Sequence, residues 1–186
     1  MKFLFKFFTI ILIIFSDSLC NEIVFKKIGS YNILDTTTLK VTKNYYVPRY
    51  FKASWINAGL ICNFYGMKFA QFDVAEEFES VRQMLKKYSD ILTEWTHIDG
   101  ITLTGKSTND WYWSHIERKI RFPLRWKSGQ PNFYKSKQWC LSLGSKTDKD
   151  FYFNDIECSG TAEHKFLCQN TDKSGRISPG DVPHPG

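Results

Sequence analysis

Four cysteines, at positions 62, 140, 158 and 168, constrain this 186-residue chain more than any other feature. A fifth, Cys20, ends what reads as a removable leader. Lys2 and Lys6 precede an apolar run over 7–15, and Ser18 and Cys20 stand at minus three and minus one of a cut before Asn21. This is the pattern of a secretory signal peptide over 1–20, and its apolar run is well short of the roughly 20 residues that span a bilayer. A cut after Ser18 would instead leave Cys20 as an odd thiol open to intermolecular pairing. Without 1–20, an even set of cysteines remains in an exported chain, which points to two disulfides drawn from three pairings. A zinc site does not fit: there is no C-x-x-C pair, and His97, His115, His164 and His184 lack ligand spacing.

The length suits one domain with tails. Aromatics at 17% and hydrophobics at 42% supply a real core, which argues against disorder in the middle of the chain. A polar, β-leaning extension occupies 21–43, with a threonine run at 36–38. The domain spans 44–170. The stretch 171–186, rich in Gly, Pro, Ser and charge, reads as a disordered tail. No other segment is apolar enough to span a membrane, and no internal repeat or N-x-S/T sequon occurs.

Apolar spacing predicts two helices. Phe51, Trp55, Ala58 and Cys62 make one stripe over 50–64, stopped at Gly66. Phe78, Val81, Leu85 and Tyr88 make another over 74–88, with Asp73 as cap and Glu76 completing a capping box. Short β-prone runs lie at 44–47, 68–72, 98–104, 139–143, 151–153 and 165–168. Between 105 and 138 lies a long stretch of little periodicity, rich in Trp, Gly, Lys and Arg, whose aromatic content argues for order. Two early helices followed by strands around one long loop give an α+β fold with antiparallel sheet.

These features, taken in order, resemble the C-type lectin-like domain family, over about 44–169. Trp95, Ile98, Gly100 and Ile101 are loosely similar to the family's W-I-G-L strand. Trp111-Tyr112-Trp113-Ser114 resembles the aromatic-x-W-S that follows it. Arg125-Trp126-Lys127-Ser128-Gly129-Gln130-Pro131-Asn132 resembles N-W-x-x-G-E-P-N, and Phe153-Asn154-Asp155-Ile156-Glu157-Cys158 resembles W-N-D-x-x-C. The chain is similar to secreted single-domain members, insect-type in appearance. The resemblance implies the pairing Cys62–Cys168 and Cys140–Cys158, two helices with antiparallel sheets, and a long ligand-binding loop.

It also implies a calcium-assisted site for sugar hydroxyls, with glycans or glycoproteins as partners. In the family the proline of the E-P-N or Q-P-D triplet is usually cis, and calcium, a hard cation, takes six to eight oxygens. The matching positions here are Gln130, Asn132, Gln138, Asn154 and Asp155. The chain departs from the pattern at Gln138, where the family has glutamate, and at neutral Gln130, so Asp155 alone carries charge. Calcium affinity follows ligand charge, so weak or absent calcium is expected. The triplet Gln130-Pro131-Asn132 mixes the mannose-type and galactose-type forms and assigns neither. Trp126 and Trp139 are expected in the core.

A second reading comes from charge. The chain is +6 overall, and 118–137 holds Arg118, Lys119, Arg121, Arg125, Lys127, Lys135 and Lys137 with no acid. Basic runs are usually solvated faces. Beside a site that lacks carboxylates, this one suits an acidic polysaccharide or protein, as a calcium-independent adhesion surface. Secretion argues against nucleic acid, and the oligomeric state is open. Catalysis is not expected: no G-x-S-x-G, H-E-x-x-H or Cys–His pattern occurs.

Overall fold

The computed structural model describes residues 24–34, 40–92, 95–144 and 150–172. The leader, the threonine run and the tail beyond Asp172 lie outside them. Among the described residues, ten strands and two α-helices follow one another: β1 (Phe25–Leu34), β2 (Lys40–Pro48), α1 (Trp55–Phe64), β3 (Lys68–Phe69), α2 (Ala75–Lys86), β4 (Thr96–Thr102), β5 (Trp111–Trp113), β6 (Arg118–Lys119), β7 (Gln138–Leu143), β8 (Phe153–Glu157), β9 (Lys165–Phe166) and β10 (Cys168–Asp172). One sheet has the order β1-β2-β10-β3. The other runs β6-β5-β4-β7-β8, with β9 parallel to β4. Among the described residues no helix is long and apolar enough to cross a membrane.

The lead-in is part of the first sheet. Its run Phe25–Leu34 forms a hairpin with β2, starting at Phe25↔Pro48. β10 then pairs with β2, placing Cys168 opposite Tyr46. Both ends of the described chain are thereby tied to one sheet.

Both helices form where apolar spacing puts them, with shifted starts. α1 begins at Trp55 because the Ser54 hydroxyl accepts the Asn57 amide (3.4 Å) and Ala53 is engaged in a bridge with His164. Trp55, Ala58 and Cys62 face inward, and the Trp55 indole donates to the Ile98 carbonyl of β4 (2.7 Å). The start of α2 corrects the expected capping box. Asp73 does not cap the helix, because its carboxylate binds Lys43 (2.6 Å) and Arg118. Glu77, not Glu76, reaches back to the Asp73 amide (2.5 Å), and it also accepts the Tyr45 hydroxyl (2.5 Å) and pairs with Lys43 (2.8 Å). Burial opposes ionisation of Asp73, but its two cationic partners outweigh that and hold its carboxyl below the ordinary value.

Two apolar clusters fill the fold. One joins α2 to the second sheet through Phe72, Phe78, Trp111, Trp113 and Phe153. The other gathers Phe25, Trp55, Phe69 and Phe166 around Cys62 and Cys168. The disulfides are Cys62–Cys168, at a sequence separation of 106, and Cys140–Cys158, at 18. The first ties α1 to β10, and the second pins β7 to the end of β8.

Candidate functional site

The stretch 105–138 is an ordered layer held down by aromatic rings. Its first part contains β5, whose Trp111 and Trp113 are buried, and β6, which pairs with it as a short hairpin. Trp126 packs against Trp111 (5.2 Å) and Phe153 (6.1 Å), as expected of a core residue, and Phe133 stacks on Trp111 at 6.2 Å and 13°. The backbone from 130 to 138 is thus fixed over the second sheet.

That backbone turns sharply. The Gln130–Pro131 bond is cis, as the resemblance implies, and Phe133, Lys135 and Ser136 all have positive φ (46°, 53° and 53°). Such residues cost on the order of 1 kcal/mol each. The turn directs the amides of 132–134 at side-chain oxygens. Asp155, fully buried on β8, accepts from Asn132 (3.2 Å) and Phe133 (2.6 Å). Gln130 Oε1 also accepts from the Asn132 amide (3.1 Å). Asn132 Oδ1 (2.9 Å) and Gln138 Oε1 (3.2 Å) share the Tyr134 amide. Beneath them, buried Asn154 donates to the Asp155 carbonyl (2.6 Å) and to the Ser142 hydroxyl (3.5 Å). Burial pushes the Asp155 carboxyl above its ordinary value, against the two amide bonds, which pull it down.

The structure therefore gathers Gln130, Asn132, Gln138 and Asp155 around one turn, with Asn154 directly below. Because backbone N–H groups only donate, these side chains must present oxygen to them. The NH₂ groups of Gln130, Asn132 and Gln138 make no hydrogen bond among the described residues. Three amide donors thus border the loop, together with the ring of Tyr134, which is 60% exposed.

As a calcium cage, the donor set has one carboxylate and four neutral amides. Among the described residues no group of three or more His, Cys, Asp and Glu side chains could hold a metal ion. The oxygens that would ligate the ion are the same ones that organise the turn.

Two residues that chain order does not mark out bear on the site. Tyr134 is one. The other is Trp139, expected in the core but 42% exposed. A register shift between Gln138 and Cys140 accompanies this, and the indole lies against Gly105, where a Cβ would fall 2.8 Å from Nε1. A buried carboxylate, Asp99, also accepts from the Gly100 amide (2.8 Å), the Ser114 amide (3.2 Å) and the Ser114 hydroxyl, with His115 Nδ1 at 3.3 Å. The serine hydroxyl donates to the acid and lies 3.3 Å from His115 Nδ1, so the trio clasps β4 to the end of β5. Its bond to Asp99 raises the His115 pKa, against burial.

The seven basic residues of 118–137 differ in their partners. Arg118 pairs with Asp73, and Arg125 pairs with Glu79 (3.3 Å). Lys127 lies over Trp95 (5.4 Å), and Lys135 over Tyr134 (5.2 Å). Lys119, Arg121 and Lys137 are exposed and have no ion pair among the described residues.

Comparison with known proteins points one way. No model of a protein family matches the chain. C-type lectin lectoxin-Phi1 of Philodryas olfersii is 30% identical over 48% of this chain, and the match spans 55% of that protein's length. C-type lectin BiL of Bothrops insularis is 29% identical over 62% of this chain and 70% of its own. Neither adds to the insect-type appearance. In fold, the chain is similar to the C-type lectin domain of murine dendritic cell inhibitory receptor 2, solved in complex with an N-glycan. The TM-score is 0.53 at 21% identity, over 70% of this chain and 91% of that one.

Proposed function

Because the chain has the C-type lectin-like fold and C-type lectins among its curated relatives, we propose that it is a secreted, non-catalytic carbohydrate-binding protein. Its site is built from Gln130, Asn132, Gln138, Asn154 and Asp155. The observation that carries this reading is the turn itself: four polar side chains accept the amides of 132–134, Asn154 lies beneath them, and three NH₂ groups at the edge make no hydrogen bond among the described residues. A sugar hydroxyl oxygen accepts from such a group. The exposed Tyr134 ring offers an apolar surface to the carbon face of a pyranose.

Calcium is weak or absent in this mechanism. A single carboxylate supplies too little charge for tight binding. That carboxylate already accepts two backbone amides. Asp155 and Asn154 act by holding the loop, and the exposed amides act by direct donation. A C-type lectin domain of this fold solved with an N-glycan supports the ligand class.

A glycan array read with and without a chelator tests this. The expected result is binding that changes less than about threefold on chelation and falls at least tenfold, about 1.4 kcal/mol, in the double variant Gln130→Ala, Asn132→Ala. Loss of all binding on chelation would instead make calcium essential. Binding untouched by the double variant would remove the loop from the site.

A further inference from the structure

Two of the three basic residues of 118–137 that have neither an ion pair nor a ring contact among the described residues lie together. Lys119 and Arg121 flank a cavity of about 300 Å³ beside the β5–β6 hairpin, whose apolar wall is formed by Trp111, Ile120, Phe122 and Leu124. Small-molecule sites are mostly apolar clefts of roughly 300–1,000 Å³ with a few placed polar groups, so this one has room for about a single saccharide ring. Thr108 and Asn109 add a hydroxyl and an amide at its edge.

We propose that this cavity is a second ligand site, taking an anionic group, a sulfate ester or a carboxylate, carried on a sugar ring. Three observations support it. First, the neighbouring cations Arg118 and Arg125 are neutralised by Asp73 and Glu79, whereas Lys119 and Arg121 are exposed and unpaired among the described residues. Second, the cavity has an apolar wall suited to the carbon face of a ring, which a merely solvated basic loop does not need. Third, Trp111 lines it, is 1% exposed, and has an indole N–H with no hydrogen-bond partner among the described residues. Buried donors are ordinarily satisfied, so an orphan beside a cavity marks a place for an acceptor oxygen. The adjacent carboxylate, Asp110, does not line the cavity, and one of its oxygens is likewise buried with no hydrogen-bond partner among the described residues.

Charge-assisted bonds from a lysine and an arginine favour sulfate and carboxylate over hydroxyl. The anion preference rests on the cavity alone. The saccharide body rests on the glycan reading above. The site differs from the turn at 130–138 in needing neither Gln130 nor Asp155.

The test is calorimetric titration with a sulfated disaccharide, a uronic-acid disaccharide, a neutral disaccharide and inorganic sulfate. The wild-type protein is expected to bind one or both acidic disaccharides. The double variant Lys119→Ala, Arg121→Ala should weaken that binding at least tenfold, while Lys135→Ala with Lys137→Ala leaves it within twofold. Relative affinities of the two acidic sugars identify which anion the site prefers. Inorganic sulfate binding as tightly as the sugars would leave the anion site standing and sink its saccharide part. No binding of any acidic probe overturns the proposal, as does equal weakening by Lys135→Ala with Lys137→Ala. Backbone amide shifts give a second readout: perturbation within 108–124 supports the site, and perturbation confined to 130–138 overturns it.

Discussion

The hairpin sheet and the long loop solve the same problem by different means. In the sheet of β1, β2, β10 and β3, the backbone meets its hydrogen-bonding needs in ladders, and Cys62–Cys168 sits among packed aromatic rings. In 105–138 ladders are short, and side chains take over. Asp155 and the amides at 130, 132 and 138 receive the backbone N–H groups of a turn that no strand or helix could make. The sheet region fixes which parts of the chain meet. The loop region fixes which polar atoms face outward.

Breaking the disulfides separates the two most strongly. In the chain-entropy picture, stabilisation grows with the length of chain closed. Cys62→Ala with Cys168→Ala should cost about 4–5 kcal/mol, and Cys140→Ala with Cys158→Ala about 3 kcal/mol. Denaturant unfolding of the two variants measures this. Losses of equal size would mean that the loop region, not the hairpin sheet, holds the fold closed.

A smaller effect comes from His97, on β4 between the two regions. It is 1% exposed, its ring lies 5.1 Å from that of His164, and neither ring nitrogen makes a hydrogen bond of ordinary geometry. Burial and the His164 ring push its pKa down to about 3, against a small upward pull from the Ala53 backbone. The unfolded chain binds the proton near pH 6.5, and the folded protein does not until far lower. Stability from this group is therefore full above pH 6.5 and falls as pH drops toward 3. Between pH 7 and pH 5 the loss should be about 2 kcal/mol. His97→Leu should flatten the pH dependence by that amount in thermal or denaturant unfolding. An unchanged slope would assign the acid sensitivity to other groups.

Much of the hairpin-sheet and helix region is legible in the chain because it follows short periods. The stripe Trp55, Ala58, Cys62 and the stripe Phe78, Val81, Leu85 both face the core. Less legible are contacts made at long range. Asp73 is a good cap by its neighbours, but Lys43 and Arg118, distant in sequence, claim its carboxylate. The Phe25–Leu34 run looks like a lead-in until its partner β2 is known. In the loop, β5 is only three residues long with both tryptophans inward, too short for a period to show. The identities of Gln130, Asn132, Gln138, Asn154 and Asp155 can be picked out by resemblance. Their partners cannot, because which amide meets which oxygen depends on positive φ at three residues that carry no glycine signal.

Those three residues provide the smallest test. On β4, positive φ falls on glycine: Gly100 has φ +130°, and a Cβ there would come within 2.3 Å of Leu141 Cδ1. In the turn it falls on Phe133, Lys135 and Ser136. Ser136 is exposed, and its amide donates to the Phe133 carbonyl (2.7 Å), a bond that survives loss of the side chain. Glycine would relieve about 1–2 kcal/mol of left-handed strain and lose about 0.5–1 kcal/mol to the greater freedom of the unfolded chain. Ser136→Gly should therefore stabilise the protein by about 0.5–1 kcal/mol, read as a rise in melting temperature, with glycan affinity unchanged. If stability falls instead, the serine conformation is not strained. The loop would then be as well matched to its backbone as the sheet is, and the difference between the two regions would lie in hydrogen bonding alone.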